Sequence, residues 1–380
     1  MRILTVGGGS GGHILPVVAV VERLHKIAPE AEIRFWCDRK SLKMAQGVFV
    51  GQAVTIQPIA SGKFRRYHHF SWWQHLRPSI VVPNLIDLFK ITGAFGQSLW
   101  RLLWWRPDVI FAKGGFVCLP VGMVAHWLGI KLIIHDSDTV AGLTNRMLSK
   151  YAVKITTGMP VEYYNYPAAK TVFVGNPVRQ TKNSATDLKK QLQIPPQKPI
   201  VLVSGGGLGS DFLNRLTLAN LQYLPADSQV ILVAGRDNYR AVMAQKFDQN
   251  KLLVRDFVTN FIDYLQIADV VVARAGATTI AELAVLTKPT ILIPNPKLVE
   301  GHQLKNAQML ADKQATIVLD EFALEQTPEQ FGQAINQLLS DDAKRATLSQ
   351  NIRQFANPQS ATTLAELIVA EARGGVDKNE

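Results

Sequence analysis

The chain has 380 residues, 47% hydrophobic and 19% charged, which excludes intrinsic disorder and supplies apolar material for two or three domain cores. Two cysteines, Cys37 and Cys118, are too few for a disulfide framework or a Cys-rich zinc site, and they fit a reducing compartment. The net charge of +11 is uneven: residues 1–180 hold 21 basic and 9 acidic side chains, residues 181–380 hold 20 and 21. A basic first half points to a nucleic acid or an anionic membrane surface as partner.

In chain order, Ile3–Val6 reads as a buried strand, followed by the glycine loop Gly7-Gly8-Gly9-Ser10-Gly11-Gly12 and a helix to about Lys26. The loop cuts the apolar run too soon for a signal peptide. Pro16 is expected near the helix's first turn, where its missing N–H costs nothing. Strand-like runs follow at 32–37, 54–59, 109–112, 131–135 and 154–157, alternating with helical stretches such as 120–128 and 142–151. The longest uncharged apolar stretch, 114–130, contains Pro120 and His126 and falls short of the ~20 residues of a membrane span. The pattern restarts at Ile200–Ser204, which runs into Gly205-Gly206-Gly207-Leu208-Gly209-Ser210 and a helix; strands are expected at 230–234, 254–257, 270–273 and 290–294. The reading is α/β with two doubly wound Rossmann-like domains. The first spans 1–178, the second 179–349, and a C-terminal helix within about 350–372 packs back on the first.

A glycine loop between strand and helix brings backbone N–H groups to an anion at the helix's positive end, but a tight turn without ligand looks the same. Neither loop continues into the Lys-Ser/Thr of a P-loop, which argues against a nucleoside triphosphatase. The first fits a dinucleotide fingerprint poorly, although Asp38 lies at a plausible distance. His13 ends that loop at the mouth of the sheet, suited to a base, a substrate-orienting group or a plain cap. Arg274–Glu282 opens another helix after a strand; Glu282 suits a ribose diol, or only the helix dipole. The dense polar run Glu300–Ala307 reads as a sugar site or as a hydrophilic loop. No Asp-x-Asp pair follows a strand in the second domain and no His-Glu-x-x-His pattern occurs, so no metal and no cofactor is expected.

Taken together, Gly8–His13, His135–Arg146, Gly175-Asn176-Pro177-Val178-Arg179, Gly205–Gly209, Asp256-Phe257-Val258, Arg274–Glu282 and His302-Gln303 with Asn306-Ala307 resemble, in order over nearly the whole chain, the MurG family of peptidoglycan glycosyltransferases. The resemblance implies an inverting transferase of GT-B type, its two domains facing a cleft. It would move GlcNAc from UDP-GlcNAc to the 4-hydroxyl of MurNAc in lipid I, a polyprenyl-diphosphate acceptor, to make lipid II for cell-wall growth, shape and division. It further implies donor contacts at Ser10, Gly11, Arg179, Gly207, Leu208, Phe257, Val258, Ala277, Thr278, Glu282, His302 and Gln303. Gly12, His13 and Asn145 would line the acceptor side, and the base is His13, Asp136 or Asp138. Two departures stand out. The family's usual His-Glu-Gln-Asn is here His135-Asp136-Ser137-Asp138, and Gly207-Leu208 stand where the family tends to have Ser and often Gln.

Five of the seven tryptophans lie within 72–105. Trp72, Trp73, Trp100, Trp104 and Trp105, with Arg101 and Arg106 among the interleaved basic residues, suggest contact with an anionic membrane as a cluster; for two or three of the tryptophans core packing is the favoured reading. No nucleic-acid motif accompanies them, so no nucleic-acid partner is expected. The expected location is peripheral, on the cytoplasmic face of the cell membrane. Other readings are a related transferase acting on another lipid, a UDP-GlcNAc 2-epimerase, and a non-catalytic membrane recruitment subunit.

Overall fold

The protein is described from a computed structural model covering residues 1–9, 11–62, 78–298 and 301–374. Contacts divide the chain into two units. The first comprises Met1–Asp136, Ala141–Val174 and the chain from Ala361; the second comprises Ser137–Val140 and Gly175–Ser360.

The first unit is built on strands β1 (Arg2–Val6), β2 (Glu32–Asp38), β3 (Val54–Ile59), β4 (Val109–Ala112), β5 (Lys131–Asp136), β6 (Lys154–Thr157) and β7 (Thr171–Phe173). All pair in parallel, in the order β3-β2-β1-β4-β5-β6-β7. A parallel sheet is covered on both faces, so β1 from Ile3 and all of β4 are continuously buried rather than alternating, with Thr5 the one polar residue of that run in β1. Helices α1 (Gly11–Ile27), α2 (Leu42–Val48), α3 (Pro78–Trp105), α4 (Cys118–Trp127) and α5 (Leu143–Leu148) follow strands in turn. Pro16 is the sixth residue of α1, beyond the first turn, so its missing N–H removes the bond that Gly12 O would have accepted.

The second unit has helices α6 (Ala185–Gln191), α7 (Asp211–Asn220), α8 (Tyr239–Met243), α9 (Phe261–Ile267), α10 (Ala277–Val285), α11 (His302–Asp312), α12 (Glu321–Gln326), α13 (Glu329–Ser340) and α14 (Asp342–Ile352). Its strands are β8 (Ile200–Ser204), β9 (Gln229–Val233), β10 (Leu252–Arg255), β11 (Val270–Ala273), β12 (Thr290–Leu292) and β13 (Ile317–Val318). They lie in the order β10-β9-β8-β11-β12-β13, all parallel. The last helix, α15 (Ser360–Ala372), belongs almost wholly to the first unit; Leu364, Ala365 and Ile368 are buried and Lys131 Nζ donates to Glu371 O at 2.8 Å.

The junction falls at 174/175, four residues before the expected one, and the return begins at Ala361 rather than near 350. The reason is local. Gly175 has φ +76°, and a Cβ there would sit 2.7 Å from Asn357 Cβ. Asn176 Nδ2 donates to Ser137 O at 3.1 Å, and Ser360 Oγ donates to Asn176 O at 2.7 Å. Residues 175–176 are thereby built into the second unit.

Each sheet has one point where the strand order reverses, between β1 and β4 in the first and between β8 and β11 in the second. Ligands of open parallel sheets bind outside the carboxyl ends of the strands at such points. Both glycine loops of the sequence lie there.

Candidate active site

At the first switch point the chain turns sharply after β1 and again after β4. Gly9, Gly114 and Gly115 have φ of +86°, +105° and +86°, and a Cβ on Gly115 would stand 2.6 Å from Gly8 O. Only glycine permits so close an approach. Asp38, at the end of β2, braces this loop: its carboxylate accepts from Gly9 N at 2.7 Å and from Ser41 Oγ at 2.6 Å. Those bonds occupy the acid that a dinucleotide site would turn to a ribose, so Asp38 is structural. His13, the third residue of α1, and Asn145, on α5, meet at Gly114, whose Cβ position lies 3.6 Å from His13 Cε1 and 3.4 Å from Asn145 Nδ2. Asn145 is buried; its Nδ2 donates to His135 O at 2.9 Å, while its Oδ1 has no hydrogen-bond partner among the described residues. A buried acceptor left open beside an imidazole is a feature a ligand donor would complete. Gly12 is exposed at the loop's end and Gly11 is buried. Ser10 lies outside the described residues.

The two aspartates of the 135–146 segment are both hydrogen-bonded. Asp136 Oδ2 accepts from Gly142 N at 3.0 Å and from Tyr166 Oη at 2.7 Å. Burial and that carboxylate raise the Tyr166 phenol far above its ordinary value. Asp138 belongs to the second unit, where its Oδ1 accepts from Asn306 Nδ2 at 2.9 Å. Asn306 Oδ1 in turn accepts from Thr139 N and Oγ1.

At the second switch point, the loop 205–209 has Gly206 and Gly209 at φ +82° and +77°, with Gly207 and Leu208 exposed at its tip. Ser210 caps α7, its Oγ accepting from Leu213 N at 3.3 Å. Helix α10 starts at Ala277 and Thr278 after β11, the strand paired with β8, so both switch-point strands lead into helix N-termini, each able to receive a phosphate. Two turns into α10, Glu282 is buried; desolvation pushes its carboxyl up to about 8, against the pull of Arg179. Arg179, also buried, donates Nη1 to Thr259 O at 2.8 Å. Arg179 is thus bonded to Thr259, next in sequence to the half-buried Phe257 and Val258, and its charge acts on the buried Glu282. At the start of α11, the half-buried His302 and Gln303 follow the β12 loop, and Gln303 Oε1 accepts from Asn295 N at 2.9 Å. Among the described residues no group of three His, Cys, Asp or Glu is placed to hold a metal ion.

Two models match this chain: the glycosyltransferase family 28 N-terminal domain over residues 3–157 and its C-terminal domain over residues 200–365. A Listeria monocytogenes protein named UDP-N-acetylglucosamine--N-acetylmuramyl-(pentapeptide) pyrophosphoryl-undecaprenol N-acetylglucosamine transferase is 31% identical over 97% of this chain and 99% of its own length. A Flavobacterium psychrophilum protein of the same name is 30% identical, over 97% of each chain. The chain belongs to this transferase family. Among solved structures, the MurG of Acinetobacter baumannii superposes with a TM-score of 0.68 at 24% identity, covering 97% of this chain and 99% of the other. The glycotransferase of kitacinnamycin does so with the same score at 17% identity, over 98% and 99%. These two likenesses show the glycosyltransferase fold.

The family's N-terminal domain here carries an unusual surface. Helix α3 starts at Pro78 and bears a stripe of exposed apolar residues at Val82, Leu85, Ile86, Phe89, Trp100, Leu103 and Trp104. The spacing of three and four keeps them on one face. Gly93 and Gly96 continue the stripe, with open space where a Cβ would stand. Trp100 and Trp104 touch, ring centroids 5.4 Å apart, and Trp127 of α4 is exposed and stacked on Phe95. The tryptophan expectation needs correction at two positions. Trp105, 100° round the helix from Trp104, is 6% exposed; its Nε1 donates to Glu32 Oε1 at 2.8 Å beneath the Arg34 guanidinium. Arg101 also turns inward, donating Nη1 to Pro58 O at 2.9 Å. Arg106 stays exposed against Leu128 O. Trp72 and Trp73 lie outside the described residues. No described helix is long and apolar enough to cross a membrane.

Sequence reasoning missed Trp127, isolated from the other tryptophans, and Arg236, whose guanidinium lies 4.6 Å from the Phe257 ring centroid. It also missed the partners of Arg274: Ser210, 64 residues away, and Glu321, 47 residues away. No local pattern signals bonds of that range.

Proposed function

We propose that this chain transfers GlcNAc from UDP-GlcNAc to the MurNAc 4-hydroxyl of lipid I, releasing UDP and forming lipid II for peptidoglycan. The observation that carries the reading is the buried Glu282 under the charge of Arg179, itself bonded to Thr259, in the unit whose switch point carries the starts of α7 and α10. This unit offers a carboxyl for a ribose diol, a backbone edge at Phe257-Val258 for uracil, and N–H dipoles at Gly207, Leu208, Ala277 and Thr278 for a diphosphate. Replacement of the family's Ser by Gly207 leaves that pocket to backbone donors. Gln303 and His302 take the GlcNAc hydroxyls, and Ser10 and Gly11 complete the donor contacts that the family resemblance implies.

In the first unit, Gly12, His13 and Asn145 face the acceptor. The 4-hydroxyl oxygen attacks the anomeric carbon as its bond to the UDP oxygen breaks, inverting that carbon, and the hydroxyl proton passes to a base. His13 is the base this reading favours, because the carboxylates of Asp136 and Asp138 already hold Gly142, Tyr166 and Asn306. The UDP charge that develops meets fixed dipoles and needs no reorganisation.

A polyprenyl-linked acceptor is held in a bilayer, and the α3 stripe suits one: Phe89, Trp100, Leu103 and Trp104 enter the interface while Lys90 and Arg106 meet anionic headgroups. The enzyme is peripheral on this reading. The cytoplasmic face agrees with the unpaired Cys37 and Cys118. The test is transfer of labelled GlcNAc from UDP-GlcNAc to lipid I in detergent, with UDP release followed in parallel. Label in the lipid product, with equal UDP release and none without lipid I, is the expected result. UDP release without labelled lipid, or neither, overturns the assignment.

A further inference from the structure

The donor loop proposed above is chemically bare. Gly205, Gly206, Gly207, Leu208 and Gly209 offer an anion nothing but main-chain N–H groups, and glycine is the residue with most conformational freedom to lose. A loop of this composition receives a diphosphate well only if something outside it fixes where its N–H groups point.

Arg274 is attached to both ends of that loop. Its main-chain N donates to Ser204 O at 3.3 Å, at the end of β8 where the loop begins. Its Nη2 donates at 2.9 Å to Oγ of Ser210, the α7 cap where the loop ends. The other arm of the guanidinium is anchored in the body of the unit: Nη1 donates to Ile293 O at 3.0 Å and to the carboxylate of Glu321, at the start of α12. Phe212, in the first turn of α7, lies against the guanidinium, centroid 5.7 Å away. Arg274 and Glu321 are each more than nine-tenths buried. The Nε hydrogen and the second Nη2 hydrogen of Arg274 make no hydrogen bond among the described residues, so part of this cation's donor capacity stays open next to the loop. Arg274 also stands two residues before Gly276, the cap of α10. One residue therefore leads into α10 by its main chain and holds the α7 cap by its side chain.

We propose that Arg274 is a positioning residue for the donor diphosphate: by strapping loop 205–209 to β8, α7 and α12 it sets the backbone N–H groups that hold UDP. This rests on the donor site argued above. The planar fork matters as well as the charge, because three acceptors in three elements must be reached at once.

The experiment measures UDP binding by calorimetry, steady-state transfer and thermal midpoint for the wild type and three variants. Arg274→Lys keeps the charge and loses the fork; Ser210→Ala releases only the loop end of the strap. Glu321→Gln weakens the buried ion pair and leaves the bond to Ser210. Arg274→Lys is expected to raise Kd for UDP and KM for UDP-GlcNAc about tenfold, as loss of a charged hydrogen bond does, with KM for the lipid acceptor unchanged. Ser210→Ala follows in the same direction with a smaller effect. Glu321→Gln lowers the thermal midpoint yet leaves UDP affinity within about twofold, since the amide oxygen still accepts from Nη1 and all three arms of the strap persist. Wild-type affinity in Arg274→Lys, or UDP affinity that falls with thermal midpoint alike in all three variants, overturns the strap. A wild-type chain that binds no UDP overturns the donor site itself, a separate result.

Discussion

The two switch points are built on the same plan and furnished oppositely. Each places a glycine loop after the first strand of a parallel sheet and a second loop after the neighbouring strand. At the first, the residues gathered are an imidazole, an amide with an open acceptor and a loop braced from behind by Asp38. At the second they are two buried arginines and a buried acid, with a helix starting after each of the two strands. The scaffold supplies a place to bind. A few side chains at the strand ends decide whether that place suits proton transfer or a charged leaving group.

The comparison breaks most visibly at His13. His13→Ala is expected to lower kcat by about 10²- to 10⁴-fold, the usual worth of a general base, while UDP binding by calorimetry stays at the wild-type level. Equal loss of both would mean the two switch points are not divided in this way. At the second point, Glu282→Ala should weaken UDP-GlcNAc binding by about 10- to 100-fold, the worth of a hydrogen bond to a charged group, leaving the acceptor KM alone.

The same acid yields a pH signature. Its folded pKa of about 8 lies above the ordinary 4.5, so its contribution to stability is complete below about 4.5 and is lost as pH rises through 8. Glu282→Gln should therefore flatten the fall in Tm over that range. Ribose hydroxyls donating to the carboxylate favour its ionised form, so UDP-GlcNAc binding at pH 7 should release protons, seen as a dependence of binding enthalpy on buffer. The variant should show none. A smaller contrast separates adjacent tryptophans. Trp105→Ala should cost about 3–5 kcal/mol of stability by denaturant unfolding, and Trp104→Ala within about 0.5 kcal/mol. Trp104→Ala should instead weaken sedimentation with anionic vesicles.

Much of this plan is legible in the residue order. Parallel strands buried on both faces read as unbroken apolar runs, so β1, β4, β8 and β11 stand out, and the glycine loops mark their carboxyl ends. The two short strands β7 and β13 are not legible, because Thr171–Phe173 and Ile317–Val318 are too brief to show a period. Which of the tryptophans turns inward is not legible for a related reason. The facing of Trp105 depends on the phase of α3, and only the full helix from Pro78 fixes that phase. The roles of Asp136 and Asp138 were open in the sequence because their partners, Tyr166 and Asn306, lie 30 and 168 residues away.

The path of the chain between the two units limits how this molecule can be taken apart. It passes from one unit to the other at 136/137, 140/141, 174/175 and 360/361, so neither unit is a single stretch of polypeptide. A chain ending at 174 lacks the α15 side chains Leu364, Ala365 and Ile368 and strips cover from its own core. One starting at 175 lacks Ser137–Val140 and leaves the buried Asn306 amide without Asp138 and Thr139. Recombination between relatives that exchanges the donor half at one breakpoint thus inherits mismatched seams. A clean graft has to carry the four-residue segment and the terminal helix with the halves they complete.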